Sequence, residues 1–145
     1  MRHTSSSILL IESNPLDVLR LLYAFARAGH RAPIESSNTL RDAVAQLQGT
    51  GGYTDQALFP TPGLLVINLN LDQGSGFEVL QWVQSSKDLA GLPSVVLTSS
   101  QQPRDAQRAY ALGAHDYLIK PASIDGLCAI VRDIEAYWVQ VRRGF

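Results

Sequence analysis

Five short apolar runs, each followed by a stretch of helical character, constrain this chain more than any other feature. The runs are residues 7–11 (SILLI), 31–36 (RAPIES), 63–68 (GLLVIN), 94–98 (SVVLT) and 116–119 (DYLI). Runs of this length read as strands. The second is the weakest, and Pro33 marks it as an edge or a strand start. Between the runs, the helix signals are chemical as well as periodic. Asn14-Pro15 offers an N-cap and a first-turn proline, with Asp17 well placed against the helix dipole. Val18, Leu21, Leu22 and Phe25 form an apolar stripe, and Gly29 is a natural stop. Leu40, Ala43, Val44 and Leu47 form a second stripe that ends at Gly49. Ser75 and Glu78 have capping-box spacing for a third helix, with Phe77, Leu80 and Trp82 turned inward. Pro103 and Gly113 bracket a fourth helix. Ser123 caps an extended C-terminal helix, residues 123–143, whose stripe is Leu127, Ile130, Val131, Ile134, Trp138 and Val141. Strands alternating with helices predict an α/β protein, a doubly wound five-stranded parallel sheet covered on both faces. Its chemistry belongs at the carboxyl ends of the strands.

Composition narrows the functions. The 145 residues form one domain, 1–145, with 1–6 as a flexible N-terminus. Twelve basic and thirteen acidic residues give a net charge of −1, which argues against nucleic-acid binding by phosphate neutralisation. No apolar run approaches the ~20 residues that span a bilayer, and residues 1–7 carry no signal-peptide core. Cys128 is the only cysteine, so no internal disulfide forms and a reducing cytoplasm is expected. It fits as a small core residue. Charged residues are 17% of the chain, against a typical ~25%, which reserves some surface for a partner. His3, His30 and His115 share no metal-ligand spacing. No nucleophilic triad is apparent, and NLDQGSG (70–76) lacks the lysine and glycine pattern of a phosphate loop. An enzyme is not expected.

At the predicted strand ends stand Glu12 and Ser13, then Asn68 and Asn70, then Thr98, then Lys120-Pro121. The segments ILLIESNPLD (8–17), VINLNLDQGSGFEVL (66–80), VVLTSS (95–100) and DYLIKP (116–121) resemble the receiver domain of bacterial two-component response regulators. The resemblance covers nearly the whole chain and implies a flavodoxin-like three-layer sandwich. The turn-rich connection 49–62 and the ending IVRDIEAYWVQV (130–141) are similar to small stand-alone regulators associated with phytochrome histidine kinases. The resemblance thus implies a sensor histidine kinase as partner. No output domain is expected, since the chain stops at Phe145.

What the resemblance implies for the site is mixed. Such pockets hold magnesium between an acidic pair after the first strand and an aspartate after the third, which accepts a phosphoryl group. Here Glu12 keeps one acid, and Ser13 stands where the second belongs. Asn68 stands where the phosphoacceptor belongs. Asn70 still offers the backbone carbonyl position, and Thr98 and Lys120 are intact. An amide oxygen carries no full charge with which to attack phosphorus. Magnesium, which usually takes one or two carboxylates, would bind weakly at best through Glu12 and the Asn70 carbonyl. The expected reading is a degenerate phosphoacceptor pocket with no cofactor. Hydrogen bonds from Asn68 to Lys120 and Thr98 would hold it in one state, while Lys120 can also turn to Glu12. Asp72 reads as a solvated loop acid.

Thr98 and Tyr117 occupy the positions of the family's switch pair, and Lys120-Pro121 resembles its cis peptide. The resemblance implies a homodimer or output face on the fourth helix, fifth strand and fifth helix, with Tyr110, Ile134, Tyr137, Trp138 and Val141 as its candidates. Two alternatives stand beside this reading. One is a conventional phosphoacceptor in which Asn68 replaces an aspartate. The other is a small-molecule binder on a flavodoxin-like sheet.

Overall fold

The computed structural model describes residues 7–55 and 57–141, the last two by backbone alone. The predicted flexible segment 1–6 and residues 142–143 of the predicted last helix lie outside the described residues. Five strands, β1 (Ile8–Ile11), β2 (Ile34–Ser37), β3 (Leu64–Ile67), β4 (Ser94–Thr98) and β5 (Asp116–Ile119), pair in the order β2-β1-β3-β4-β5. All four pairings are parallel. This is the doubly wound, flavodoxin-like order, with its topological switch between β1 and β3. The helices are α1 (Pro15–Arg27), α2 (Leu40–Gln48), α3 (Gly76–Ser85), α4 (Pro103–Ala111) and α5 (Ile124–Ile134).

Strand side chains alternate between the two faces. Ile8, Leu10, Leu64, Val66, Val95 and Leu97 pack with Leu21 and Phe25 of α1 and with Leu127, Val131 and Ile134 of α5. Leu9, Ile11, Leu65, Ile67 and Val96 pack with Ala43 and Leu47 of α2, Leu80 and Val83 of α3, and Ala109 of α4. Because both faces are covered, β1 and β3 are apolar throughout, and β4 is polar only at its ends, Ser94 and Thr98. Edge strand β2 is half-buried, and it starts after Pro33, whose carbonyl accepts from Ile8 N.

The predicted caps form at Asn14, Ser75 and Ser123, and α2 has a cap in Thr39 as well. Asn14 Oδ1 accepts from Leu16 N and Asp17 N, Ser75 caps α3 and Ser123 caps α5. Glycine is required at position 76. A Cβ there would lie 2.4 Å from the Asn68 carbonyl, so α3 starts hard against the tip of β3. The connection after α2 has local order of its own. Tyr53 and Phe59 meet edge-to-face at 4.9 Å, and the Tyr53 hydroxyl donates to Asp42 Oδ1 at 2.8 Å. That bond to an anion pushes the tyrosine pKa up to about 12.

Three expectations need correction. On α1, Ala24 is buried and Leu22 is 36% exposed, because the face that meets α5 is Leu21–Ala24–Phe25. Lys120-Pro121 is trans, the isomer X-Pro bonds favour by ~0.5–1 kcal/mol. The last helix changes period. From Glu135 to Val141 it is π-helical, with an extra residue in each turn. Val139, five residues past Ile134, therefore lies in the core, while Trp138 is half-buried against His115 and Tyr137. Ile134 is 2% exposed and cannot belong to a surface for a second copy. The shift begins at a buried pair, His30 Nδ1 and Glu135 Oε2, 2.8 Å apart.

Candidate functional site

Parallel pairing brings the carboxyl ends of β1, β3, β4 and β5 to one edge of the sheet, so the residues following those strands share a pocket. Glu12 lies at its base. Its backbone N–H continues the sheet to Ser37 O, and its side chain is 3% exposed. A buried carboxylate requires donors. Glu12 has three: Lys120 Nζ at 2.5 Å on Oε1, and Asn68 Nδ2 at 3.0 Å with Asn14 N at 3.2 Å on Oε2.

Asn68 follows β3, and its backbone N–H is held by Ile11 O. Its side chain also donates to Asn70 O at 3.1 Å. Both neighbours are acceptors, so only the NH2 group of the amide can face them. Each of its two hydrogens has a partner. Lys120, after β5, reaches past Glu12 to Asp17 Oδ2 at 3.0 Å. The ionised groups at the centre are therefore Glu12 and Asp17 against Lys120, one net negative charge. Sequence reasoning placed Asp17 only as a helix-start acid. The missed signal is positional, since the first turn after β1 flanks the strand tips.

Ser13 points away from this centre. Its hydroxyl donates to Asn38 O at 2.5 Å and accepts from Asp72 N at 2.8 Å. It thus joins the loops after β1, β2 and β3. The side of the pocket at β4 and β5 has a separate set of bonds. Thr98 is fully buried, and its hydroxyl accepts a long bond of 3.5 Å from Ser100 N. The Tyr117 hydroxyl donates to Ser100 O at 3.0 Å, and Ser100 Oγ donates to Asp105 Oδ2. The Thr98 and Tyr117 hydroxyls therefore converge on one loop residue, Ser100.

Glu12, Asn68, Asn70 and Lys120 are brought together, while Ser13 and Thr98 border them. The expected bonds from Asn68 to Lys120 and Thr98 are absent among the described residues. Lys120 and the Asn68 NH2 are both donors, and they divide the oxygens of Glu12 instead. Of the proposed partner-face residues, Tyr110 and Tyr137 are 48% and 55% exposed, and the side chain of Val141 lies outside the description. Burial and Asp116 both push the Tyr110 pKa up.

The donor set does not fit magnesium. Glu12 is the one carboxylate against the amide, both oxygens suited to a cation are taken by N–H groups, and Ser13 faces elsewhere. Among the described residues, no three His, Cys, Asp or Glu side chains are grouped to hold a metal. No helix among them is long and apolar enough to cross a membrane.

A parallel 2-1-3-4-5 sheet with an acid, an amide, a threonine and a lysine at its strand tips defines a receiver-type signalling module. Residues 8–132 match the response regulator receiver domain, and the chain belongs to that family. Response regulator Rcp1 of Synechocystis sp. (strain PCC 6803) is 35% identical over 141 residues, covering 89% of this chain and 93% of Rcp1. The crystal structure of the phosphorylated cyanobacterial phytochrome response regulator RcpA superposes with a TM-score of 0.86 at 30% identity, covering 93% of this chain and 94% of RcpA. The Mn2+-bound form of Rcp1 gives 0.83 at 30% identity, covering 92% and 94%. The chain is thus a response regulator receiver of two-component signalling, homologous to phytochrome response regulators.

Proposed function

We propose that this receiver does not accept a phosphoryl group at position 68 and that it signals by binding other proteins. The observation that carries this reading is the Asn68 amide, whose NH2 is held between Glu12 Oε2 and Asn70 O. Phosphoryl acceptance needs an anionic oxygen aimed at phosphorus, together with a cation to offset the incoming charge. Here the group at the acceptor position is neutral, and the cation's oxygens already have partners. Lys120, the remaining positive group, is committed to Glu12 and Asp17.

The partner is a sensor histidine kinase, and its homology to RcpA and Rcp1 favours a phytochrome. Binding occurs in the cytoplasm, consistent with a single free cysteine. The chain pairs with a second copy through α4, β5 and the C-terminal helix, where Tyr110, Ile119, Ile124 and Tyr137 are exposed. Exposed Leu16, Leu19 and Tyr23 on α1 supply a second apolar surface, which begins at the pocket rim.

The test is incubation with acetyl phosphate and magnesium, read by intact mass. The expected result is an unchanged mass, and a stoichiometric gain of one phosphoryl group overturns the reading. Light scattering at tens of micromolar reads the assembly, where a monomer mass removes the homodimer.

A further inference from the structure

We infer that Asn68 and Ser13 replace a divalent cation with hydrogen bonds internal to the chain, so that the pocket keeps its arrangement without metal and rejects it. This rests on the reading above and specifies how the site is regulated.

A cation seated between the tips of β1 and β3 would draw a carboxylate and a carbonyl towards one positive centre. The Asn68 NH2 already does this. It carries two positively polarised hydrogens, and these meet Glu12 Oε2 at 3.0 Å and Asn70 O at 3.1 Å, ordinary distances for N–H···O bonds. An incoming ion would have to break both bonds and turn the amide so that its oxygen faced inward. It would also have to share Glu12 with Lys120 Nζ, a like charge already in contact with that carboxylate. Magnesium gives up its water reluctantly and needs near-octahedral oxygen ligands, which these rearrangements do not provide.

Ser13 completes the replacement mechanically. One hydroxyl ties the β1 loop to Asn38 O in the β2 loop and to Asp72 N in the β3 loop. These three loops are thereby joined through one neutral hydroxyl.

The experiment uses the full chain and its Asn68→Asp, Asn68→Ala and Ser13→Asp/Asn68→Asp variants. Free Mn2+ is followed by its electron paramagnetic resonance signal, and Tm is recorded with millimolar MgCl2 or with EDTA. The parent is expected to leave the Mn2+ signal undiminished and to melt at the same temperature in both buffers. Asn68→Ala is expected to melt lower and still ignore Mn2+. Asn68→Asp and the double variant are expected to take up one Mn2+ per chain. Each should gain on the order of 5–10 °C in Tm when the cation is about a hundredfold above its Kd. Saturable uptake of one Mn2+ by the parent overturns the inference, and so does failure of both aspartate variants to bind it. Labelling of the parent by acetyl phosphate is a separate outcome: it overturns the non-phosphorylated reading, whereas the Mn2+ signal decides the present one.

Discussion

The two sides of the pocket differ in chemistry and in wiring. At β1 and β3 the Asn68 amide joins Glu12 to Asn70, and Ser13 ties the surrounding loops together. At β4 and β5 the family's threonine and lysine remain. Yet the Thr98 and Tyr117 hydroxyls both bond to Ser100, and Lys120 crosses to the other side to meet Glu12 and Asp17. The β1–β3 side is held by bonds among its own loops, and Lys120 ties the β4–β5 side to it.

The largest test places two acids on the β1–β3 side. Ser13→Asp/Asn68→Asp is expected to pass from no labelling by acetyl phosphate to about one phosphoryl group per chain, by intact mass. Persistent absence would show that the β4–β5 side is no longer competent. The next test removes the shared anion. Glu12→Ala leaves one hydrogen of the Asn68 amide unpaired and Lys120 with Asp17 alone, and loss of one partner of a buried ion pair costs roughly 3–5 kcal/mol. Thr98→Val removes one long bond and should cost about 1 kcal/mol. Urea denaturation measures both, and equal costs would erase the contrast between the sides. Ser13→Ala should lie between them at roughly 1–3 kcal/mol, with faster hydrogen exchange at the Asp72 amide.

The smallest effect is a control away from the pocket. The Tyr53 phenol is held neutral by Asp42, with its pKa raised from 10.0 to about 12. A raised folded value means that its contribution to stability is complete below pH 10 and is lost as the pH climbs towards 12. Tyr53→Phe should therefore flatten that alkaline decline slightly in pH-dependent urea titrations and leave the pocket variants unaffected.

Much of this was legible from residue types. The apolar runs marked the strands because a sheet covered on both faces needs them. Asn14, Ser75 and Ser123 take up the donors at the starts of their helices. The neutrality of the side chain at position 68 was likewise evident from residue identity. The direction of the amide was not, because it depends on two acceptors from Glu12 and Asn70 that meet only when β1 and β3 pair. Asp17 is the first-turn acid its position predicts, but its reach to Lys120 escaped for a similar reason. The C-terminal stripe holds through Ile134, whose place in the core removes it from the partner face, and it fails beyond, where Val139 rather than Trp138 is buried because the period changes at Glu135.

The amide at Asn68 has one further consequence. An ion can be chelated and an acyl phosphate hydrolysed, but a side chain cannot be withdrawn from its own polypeptide. On the proposed reading, the information such a protein conveys resides in its abundance and location, which makes synthesis and turnover its natural points of control.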